Sequence, residues 1–320
     1  MALACGDSML ALQKMLLVVR ILESKPVNES HLSGVYPILL TPFDEDERVD
    51  VHSLQSLVDF ELEAGVHGLG IALGSEVMKL TEAERAIVTR TVTDRVAGRV
   101  PVVVNTGGTS TVVTIHNSRQ AVQNGADAVM IIPPSSEVGS DALIGFYQSV
   151  SGAVDVPIFI QDLTNPHIAA KTARDIAEAC SHVQYVKVES HPTPIMVAEV
   201  MDLASDVLTV FGGGGGNFII EELRRGSQGT MPGCSNPEAF VDLWHKYSEG
   251  DKAGAIEAFY RNIVPINRIA EQGWGAFHSV HKEILRQRGV IRTSVVRGPV
   301  RPLGKRMSRD LQLVIDELYG

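Results

Sequence analysis

The chain is short of cysteine, of positive charge and of long apolar runs. Its three cysteines, Cys5, Cys180 and Cys234, are widely spaced, so the sequence offers no CxxC pair or disulfide framework and fits a reducing compartment. The formal net charge of −10 argues against the basic surface that nucleic-acid binding requires. No apolar run reaches the roughly 20 residues that cross a bilayer. The sequence therefore predicts a cytoplasmic protein without a nucleic-acid or membrane partner.

No Pro-rich or Ser-rich linker divides the 320 residues. Residues 1–32 stand apart, because their apolar stretch is interrupted by Lys14 and Arg20 and is not followed by a cleavage site of small residues. We expect these residues to be an N-terminal extension, helical or disordered. We expect residues 33–250 to form the main domain and residues 251–320 to form a helical region packed on it.

Short apolar runs rich in β-branched residues recur from residue 34 onward. They are continuous rather than alternating, which is typical of strands covered on both faces, and amphipathic segments separate them. The runs cover residues 34–43, 68–74, 100–107, 128–134, 156–162, 183–189, 208–213 and 229–234. Eight such units predict an α/β fold, the (β/α)8 TIM barrel, with a C-terminal helical extension. A doubly wound open sheet is the alternative, but the chain has no nucleotide-binding fingerprint.

Polar side chains follow these strands, at the end of the barrel where active sites lie. Lys187 is the most informative, because it occurs inside the run VQYVKVE, where Tyr185, Lys187 and Glu189 share one face. A lysine inside a dry barrel is expected to have a lowered pKa, and its neutral amine can attack a carbonyl to form a Schiff base. A carboxylate of Glu189 on the same face would instead raise the pKa of Lys187. The alternative is a lysine that only lines the barrel and pairs with a carboxylate.

Three further patterns bear on the chemistry. The glycine run 212–216 precedes a predicted helix and could hold a phosphate, although the lysine and threonine of a P-loop are missing. His278 and His281 are three residues apart without a metal-binding carboxylate motif, which favours a packing or solvated role. No GxSxG elbow marks a serine nucleophile. The sequence therefore favours catalysis without a metal.

Taken in order, several short motifs resemble one known family. They are TPF (41–43), GSE and LTEAER (within 74–85), VVVNTGG (102–108), PP (133–134), YVKVES (185–190), GTMPG (229–233) and the tail KEILRQRGVI with VRGP (within 282–299). The chain is similar to the dihydrodipicolinate synthase / N-acetylneuraminate lyase family of class I, pyruvate-handling aldolases. The resemblance implies that Lys187 forms the Schiff base and that Leu73, Gly74 and Ser75 hold the keto-acid carboxylate. It also implies a homotetramer, built as a dimer of dimers, without a metal or organic cofactor.

The departures from the family pattern are equally informative. The family has a catalytic tyrosine in a YN.P run on strand 5, whereas here Gln161 and Asp162 begin QDLTNP. A second family tyrosine, after the PP of strand 4, falls at Ser135 or Ser136. A glutamine amide cannot relay protons as a tyrosine hydroxyl does, so Asp162, Ser75, Ser136 or a held water is expected to take that role.

The main hypothesis is a Schiff-base lyase or aldolase acting on a 2-oxo acid, pyruvate or a 2-keto-3-deoxy sugar acid, with an aldehyde as the optional second substrate. The enzyme so predicted is similar to 4-hydroxy-tetrahydrodipicolinate synthase. The alternatives are a keto-deoxy sugar acid dehydratase of the same family, a catalytically silent keto-acid-binding barrel, and a barrel enzyme for a phosphorylated substrate. The predicted catalytic residues are Lys187, Gln161 and Asp162. The predicted substrate-binding residues are Thr41, Leu73, Gly74, Ser75, Ser136, Gly213 and Gly229, with no metal.

Overall fold

The computed structural model describes residues 31–134, 138–273 and 275–320. Its strands are β1 (Gly34–Val35), β2 (Leu69–Ile71), β3 (Val102–Asn105), β4 (Ala128–Ile131), β5 (Ile158–Leu163), β6 (Val183–Glu189), β7 (Thr209–Gly215) and β8 (Gly229–Pro232). All eight lie within the predicted runs or overlap them. The predicted extension up to residue 30, as well as Ser135 and Ser136, falls outside the described residues.

The eight parallel strands form one closed sheet. Each strand pairs with the next along the chain from β2 to β8, and β8 pairs with β1. Ile38, just beyond β1, bridges to Gly70 on β2, and the Leu39 amide donates to the Gly70 carbonyl at 2.9 Å. These contacts close the barrel, because they join the two strands at the ends of the pairing order. The predicted (β/α)8 barrel with added C-terminal helices is confirmed.

A helix follows every strand. These helices are α1 (Val51–Glu63), α2 (Glu82–Val96), α3 (Thr111–Gln123), α4 (Ser140–Ser151), α5 (Ala170–Ala179), α6 (Thr193–Ala204), α7 (Ile219–Arg224) and α8 (Pro237–Ser248). Their ends follow local chemistry. Asp50 caps α1 by accepting from the Ser53 amide, and Thr81 forms a capping box with Glu84 at the start of α2. None of the helices in the described part of the chain has the length and apolarity to cross a bilayer.

Beyond the barrel, the described residues form the helices α9 (Lys252–Ala258), α10 (Val264–Ala270), α11 (Ala276–Gln287) and α12 (Lys305–Tyr319), with a π-helical turn (Phe259–Ile263) between α9 and α10. Helices α10, α11 and α12 build a second apolar cluster that includes Ile266, Ile284 and Leu311. Leu285 of α11 instead joins the main core. The last helices therefore have a core of their own and also pack against the barrel.

Aromatic rings fill the lower part of the barrel interior. Phe159 stacks on Tyr185 at 4.5 Å between ring centroids, and Phe211 lies edge-on to Phe159 and to Tyr36, at 5.3 Å from each. A Cβ at Gly229 would lie 2.2 Å from the Phe211 ring, so that position has no room for a side chain. The rings block the barrel from below, and Lys187, two residues after Tyr185, comes above them.

Phe211→Ala should lower the free energy of unfolding by about 3–5 kcal/mol, because it leaves a cavity among packed rings. Chemical denaturation measures this loss. Phe218→Ala is the matched control, since Phe218 is 38% exposed, and it should cost far less. Equal losses in the two variants would contradict the packing described for Phe211.

Candidate active site

Lys187 lies on the inward face of β6. Its side chain is 4% exposed, and its Nζ is 3.0 Å from Oε1 of Glu189, two residues further along the same strand. The alternation of strand side chains brings both to the same face. A buried ammonium is tolerated when a carboxylate neutralises it. The site therefore contains an ion pair within proton-transfer distance at the carboxyl end of β6.

Glu189 is held from three sides. It accepts from Gln161 Nε2 at 2.6 Å and from the Gly214 amide at 3.2 Å, in addition to its contact with Lys187. Gln161 in turn accepts from Asn105 Nδ2 at 2.7 Å. Burial raises the pKa of Glu189, but the charge of Lys187 and these hydrogen bonds outweigh it, so the pKa lies below its ordinary value. Glu189 is therefore an ionised, oriented carboxylate beside the lysine.

Gly213 closes this cluster from β7. A Cβ at this position would lie 2.3 Å from Cγ of Glu189 and 2.9 Å from Cε of Lys187. Only glycine leaves room for the ion pair, so Gly213 belongs with Lys187 and Gln161 in one site. The glycine run therefore makes room for Glu189 and binds it through the Gly214 amide, and it does not form an exposed cradle for a phosphate. The six-residue helix α7 that follows carries Glu221 and Glu222 in its first turn, and the charge of Glu221 disfavours phosphate binding there.

The turn Leu73–Ser75 is a short 3₁₀ helix after β2. Thr41 donates its hydroxyl to the Ser75 carbonyl at 2.6 Å, and Ser75 Oγ accepts from the Ala72 amide at 3.0 Å. The Gly74 position is bordered by Ile38 and by Phe277 of α11, 3.0 and 3.3 Å from where a Cβ would be. Thr41 and the turn Leu73–Ser75 therefore form one hydrogen-bonded unit after β1 and β2.

Two predicted site residues are placed elsewhere. Asp162 is adjacent to Gln161 and faces the opposite side of β5, where it accepts from the Ile168 amide at 2.8 Å and contacts Ser190 and His167. Burial raises the pKa of Asp162, against these hydrogen bonds. Gly229 is the first residue of β8 and lies at the amino-terminal end of the barrel strands, opposite to the end that carries the site. Both assignments are therefore corrected: Asp162 fastens the β5 loop from outside the barrel, and Gly229 makes room for Phe211.

Residues that the sequence interpretation left out of the site also belong to it. Glu189 was expected to share the face of Lys187 but was not assigned to the site, Asn105 stood only within the motif VVVNTGG, and Phe277 was not recognised at all. Phe277 comes from a helix distant in sequence, and no local pattern marks it. His281 packs under it, 4.5 Å between ring centroids, and shares a 2.6 Å hydrogen bond with Ser235. This confirms a packing role for His281. No cluster of three or more potential metal ligands occurs among the described residues.

The fold and this cluster define a class of enzyme, a (β/α)8 barrel with a buried lysine at the carboxyl end of its sixth strand. The model of the Dihydrodipicolinate synthetase family matches residues 31–318. The chain belongs to this family, which confirms the resemblance seen in its motifs. It is a lyase of the class I aldolase type.

Several relatives carry enzyme names. L-2-keto-3-deoxyarabonate dehydratase of Azospirillum brasilense is 31% identical over 280 residues, which cover 83% of this chain and 88% of the relative. 4-Hydroxy-tetrahydrodipicolinate synthase of Sorangium cellulosum is 34% identical over 236 residues, 71% of this chain and 77% of the relative. A prophage protein of the dihydrodipicolinic acid synthase family from E. coli K12, solved with pyruvate, has a TM-score of 0.83 at 25% identity and covers 90% and 99% of the two chains.

Glu222 lies behind the site, with its carboxyl against Gly212 on the outer face of β7. It accepts from Thr193 Oγ1 at 2.7 Å, and its other oxygen has no hydrogen-bond partner among the described residues. Burial raises the pKa of Glu222 to about 7, the Thr193 hydrogen bond opposes that rise, and the charges of Glu221 and Glu189 add to it.

The raised pKa of Glu222 makes stability depend on pH. The folded protein keeps this proton up to about pH 7, whereas the unfolded chain releases it near 4.5, so stability is lost as the pH rises between these values. In the parent protein this effect should lower the free energy of unfolding by an amount on the order of 2 kcal/mol between pH 5 and pH 8, and Glu222→Gln should abolish it. Urea denaturation at both pH values measures the difference. The exposed Glu249→Gln is the control. An unchanged pH dependence in Glu222→Gln would contradict the assignment.

Proposed function

We propose that the protein removes water from a 2-keto-3-deoxy sugar acid through a Schiff base on Lys187. The observation that carries the proposal is the buried ion pair of Lys187 and Glu189, which combines an amine with an oriented carboxylate at 3.0 Å. The similarity to the dehydratase of Azospirillum brasilense, over 83% of the chain, supports this reaction class.

The first step is attack of the neutral Lys187 amine on the C2 carbonyl. Glu189 accepts the ammonium proton, which frees the nitrogen lone pair, and water leaves as the carbinolamine becomes an iminium ion. The iminium withdraws electrons from C3 and makes its protons acidic. The turn Leu73–Ser75 and Thr41 are proposed to hold the substrate carboxylate, so that C2 faces Lys187.

The second step is loss of the C4 hydroxyl. A base removes a C3 proton to give an enamine, whose electrons then expel the C4 hydroxyl as it is protonated, so that one water molecule is released. In the resulting C3=C4 iminium, loss of a C5 proton and of the C5 hydroxyl proton, with protonation at C3 and C4, turns C5 into an aldehyde. Hydrolysis of the imine then consumes one water molecule and regenerates Lys187. Glu189 can serve as this base and then as the acid, because carboxylates take and return protons readily. Gln161 cannot, and its hydrogen bond to Oε2 of Glu189 assigns it the positioning of that carboxylate.

Aldol cleavage or condensation with an aldehyde is the second candidate. It uses the same enamine but requires proton transfer at the aldehyde oxygen, for which the family uses a tyrosine on strand 5. The synthase of Sorangium cellulosum favours this candidate by its similarity. Gln161 at the tyrosine position argues against it.

Glu189→Gln should lower dehydration of 2-keto-3-deoxy-L-arabonate by about 10²–10⁴-fold, because it removes the proton-transfer group and keeps the shape. The assay follows the semialdehyde product. Borohydride reduction with pyruvate, followed by digestion and mass spectrometry, should still find an adduct on Lys187 in this variant. It should find none in Lys187→Ala, and the exposed Lys171→Ala is the matched control. Turnover close to that of the parent protein in Glu189→Gln would refute the role of the carboxylate, and an adduct elsewhere would refute that of Lys187.

We also propose a homotetramer in the cytoplasm. Apolar side chains are exposed on the segments after β2 and β3, with Met78 63%, Val112 77% and Val113 43% exposed, and such patches often mark subunit interfaces. Cys180 and Cys234 are free thiols, which suits a reducing compartment. Family membership alone does not fix assembly, since one similar structure, 24% identical with a TM-score of 0.82, is described as a monomeric dihydrodipicolinate synthase variant.

Val112→Asp should shift the assembly toward smaller species, because a charge in an apolar interface loses its hydration. Sedimentation velocity measures the distribution. Leu313→Asp, which changes a leucine on α12 that is 63% exposed, should leave it unchanged. A monomeric parent protein at micromolar concentration would overturn the tetramer.

A further inference from the structure

Glu76 and Lys282 form a fully buried ion pair next to the proposed carboxylate-binding turn. Both side chains are 0% exposed, and Lys282 Nζ is 2.6 Å from Oε1 of Glu76. Lys282 also donates to the Val295 carbonyl at 2.8 Å, and Oε2 of Glu76 accepts from Lys79 Nζ at 2.9 Å. Both charges are thus compensated, as a buried pair requires. The pair joins α11 of the C-terminal region to the segment after β2.

The backbone of Glu76 adopts a conformation that favours glycine. Its φ of 58° and ψ of 27° lie in the left-handed region, which costs a residue with a side chain about 1–2 kcal/mol. A glycine here would remove that cost but would leave Lys282 buried without a carboxylate. The strained backbone and the buried pair together indicate that the ion pair with Lys282 of α11 holds Glu76 in its position.

Glu76 in turn fixes the turn Leu73–Ser75. Its amide donates to the Leu73 carbonyl at 3.0 Å and so closes the 3₁₀ turn. The neighbouring Ser75 carbonyl is tied to Thr41. A shift of Glu76 would therefore change the direction of the amides and of the Ser75 hydroxyl in the turn.

We propose that Glu76 and Lys282 are positioning residues, which hold the turn Leu73–Ser75 in the geometry that receives the carboxylate of a 2-oxo acid. The C-terminal helix α11 thereby sets the affinity for the substrate without supplying a catalytic group. This inference rests on the proposed function, in which that turn binds the carboxylate.

The test is a pyruvate titration of the adduct trapped by borohydride, in the full-length protein. Lys282→Met removes the charge and keeps most of the apolar stem. It should raise the half-saturating pyruvate concentration at least tenfold, whereas the trapping rate at saturation should stay within about threefold, because the cluster of Lys187 and Glu189 is untouched. Glu76→Gln keeps the shape of the side chain and should shift the titration in the same direction. It is the second variant if Lys282→Met does not fold.

Arg288→Met is the matched control. Arg288 follows α11, pairs with Glu238 at 2.9 Å and donates to the Ser235 carbonyl at 2.7 Å, and both partners lie outside the turn. Its loss should lower the melting temperature and leave the pyruvate titration within twofold of the parent protein. A folded Lys282→Met or Glu76→Gln variant with unchanged half-saturation would overturn the positioning role and leave the proposed function intact. An equal rise of the half-saturating pyruvate concentration in Arg288→Met would also overturn the positioning role, since the effect would then reflect general destabilisation. Absence of any adduct in the parent protein would overturn both proposals.

Discussion

A lysine ammonium inside a closed barrel requires a carboxylate beside it. The contact between Lys187 and Glu189 therefore limits the size and the hydrogen-bonding groups of the residues around the pair. Gly213 has no side chain because the pair occupies that space. Gln161 must both donate and accept, since it joins Glu189 to Asn105. The aromatic rings below keep water from the base of the barrel, which strengthens every electrostatic contact above them. The site is thus one hydrogen-bonded cluster carried on the three neighbouring strands β5, β6 and β7 and on β3, which lies beyond β4.

Much of the fold could be predicted from the sequence, because eight apolar runs separated by amphipathic segments have few alternative arrangements. The inward direction of Lys187 could also be predicted, since burial of a lysine without a function is rare. Position within a strand was harder to predict. Gln161 and Asp162 are adjacent, so only one can face the barrel, and alternation alone does not say which. Gly229 begins both the eighth apolar run and β8, so it lies away from the carboxyl ends of the strands, where active sites occur.

The contribution of the C-terminal region could not be predicted from local patterns. Lys282 and Phe277 reach the barrel mouth through packing between segments that are far apart in the chain, and their periodicity is that of any amphipathic helix. A buried lysine in such a helix becomes informative only when its partner, Glu76, is known. The same holds for Glu189, whose role depends on which atoms of Gln161 and Gly214 it meets.

We propose that Glu189 transfers the protons for which the family pattern has a tyrosine on strand 5. The most direct measurement is exchange of the methyl protons of pyruvate with solvent deuterium, followed by proton NMR, because exchange requires both the imine on Lys187 and a base at C3. We expect exchange by the parent protein, none by Lys187→Ala and strongly slowed exchange by Glu189→Gln. Exchange that proceeds at the parent rate in Glu189→Gln would contradict the role proposed for the carboxylate.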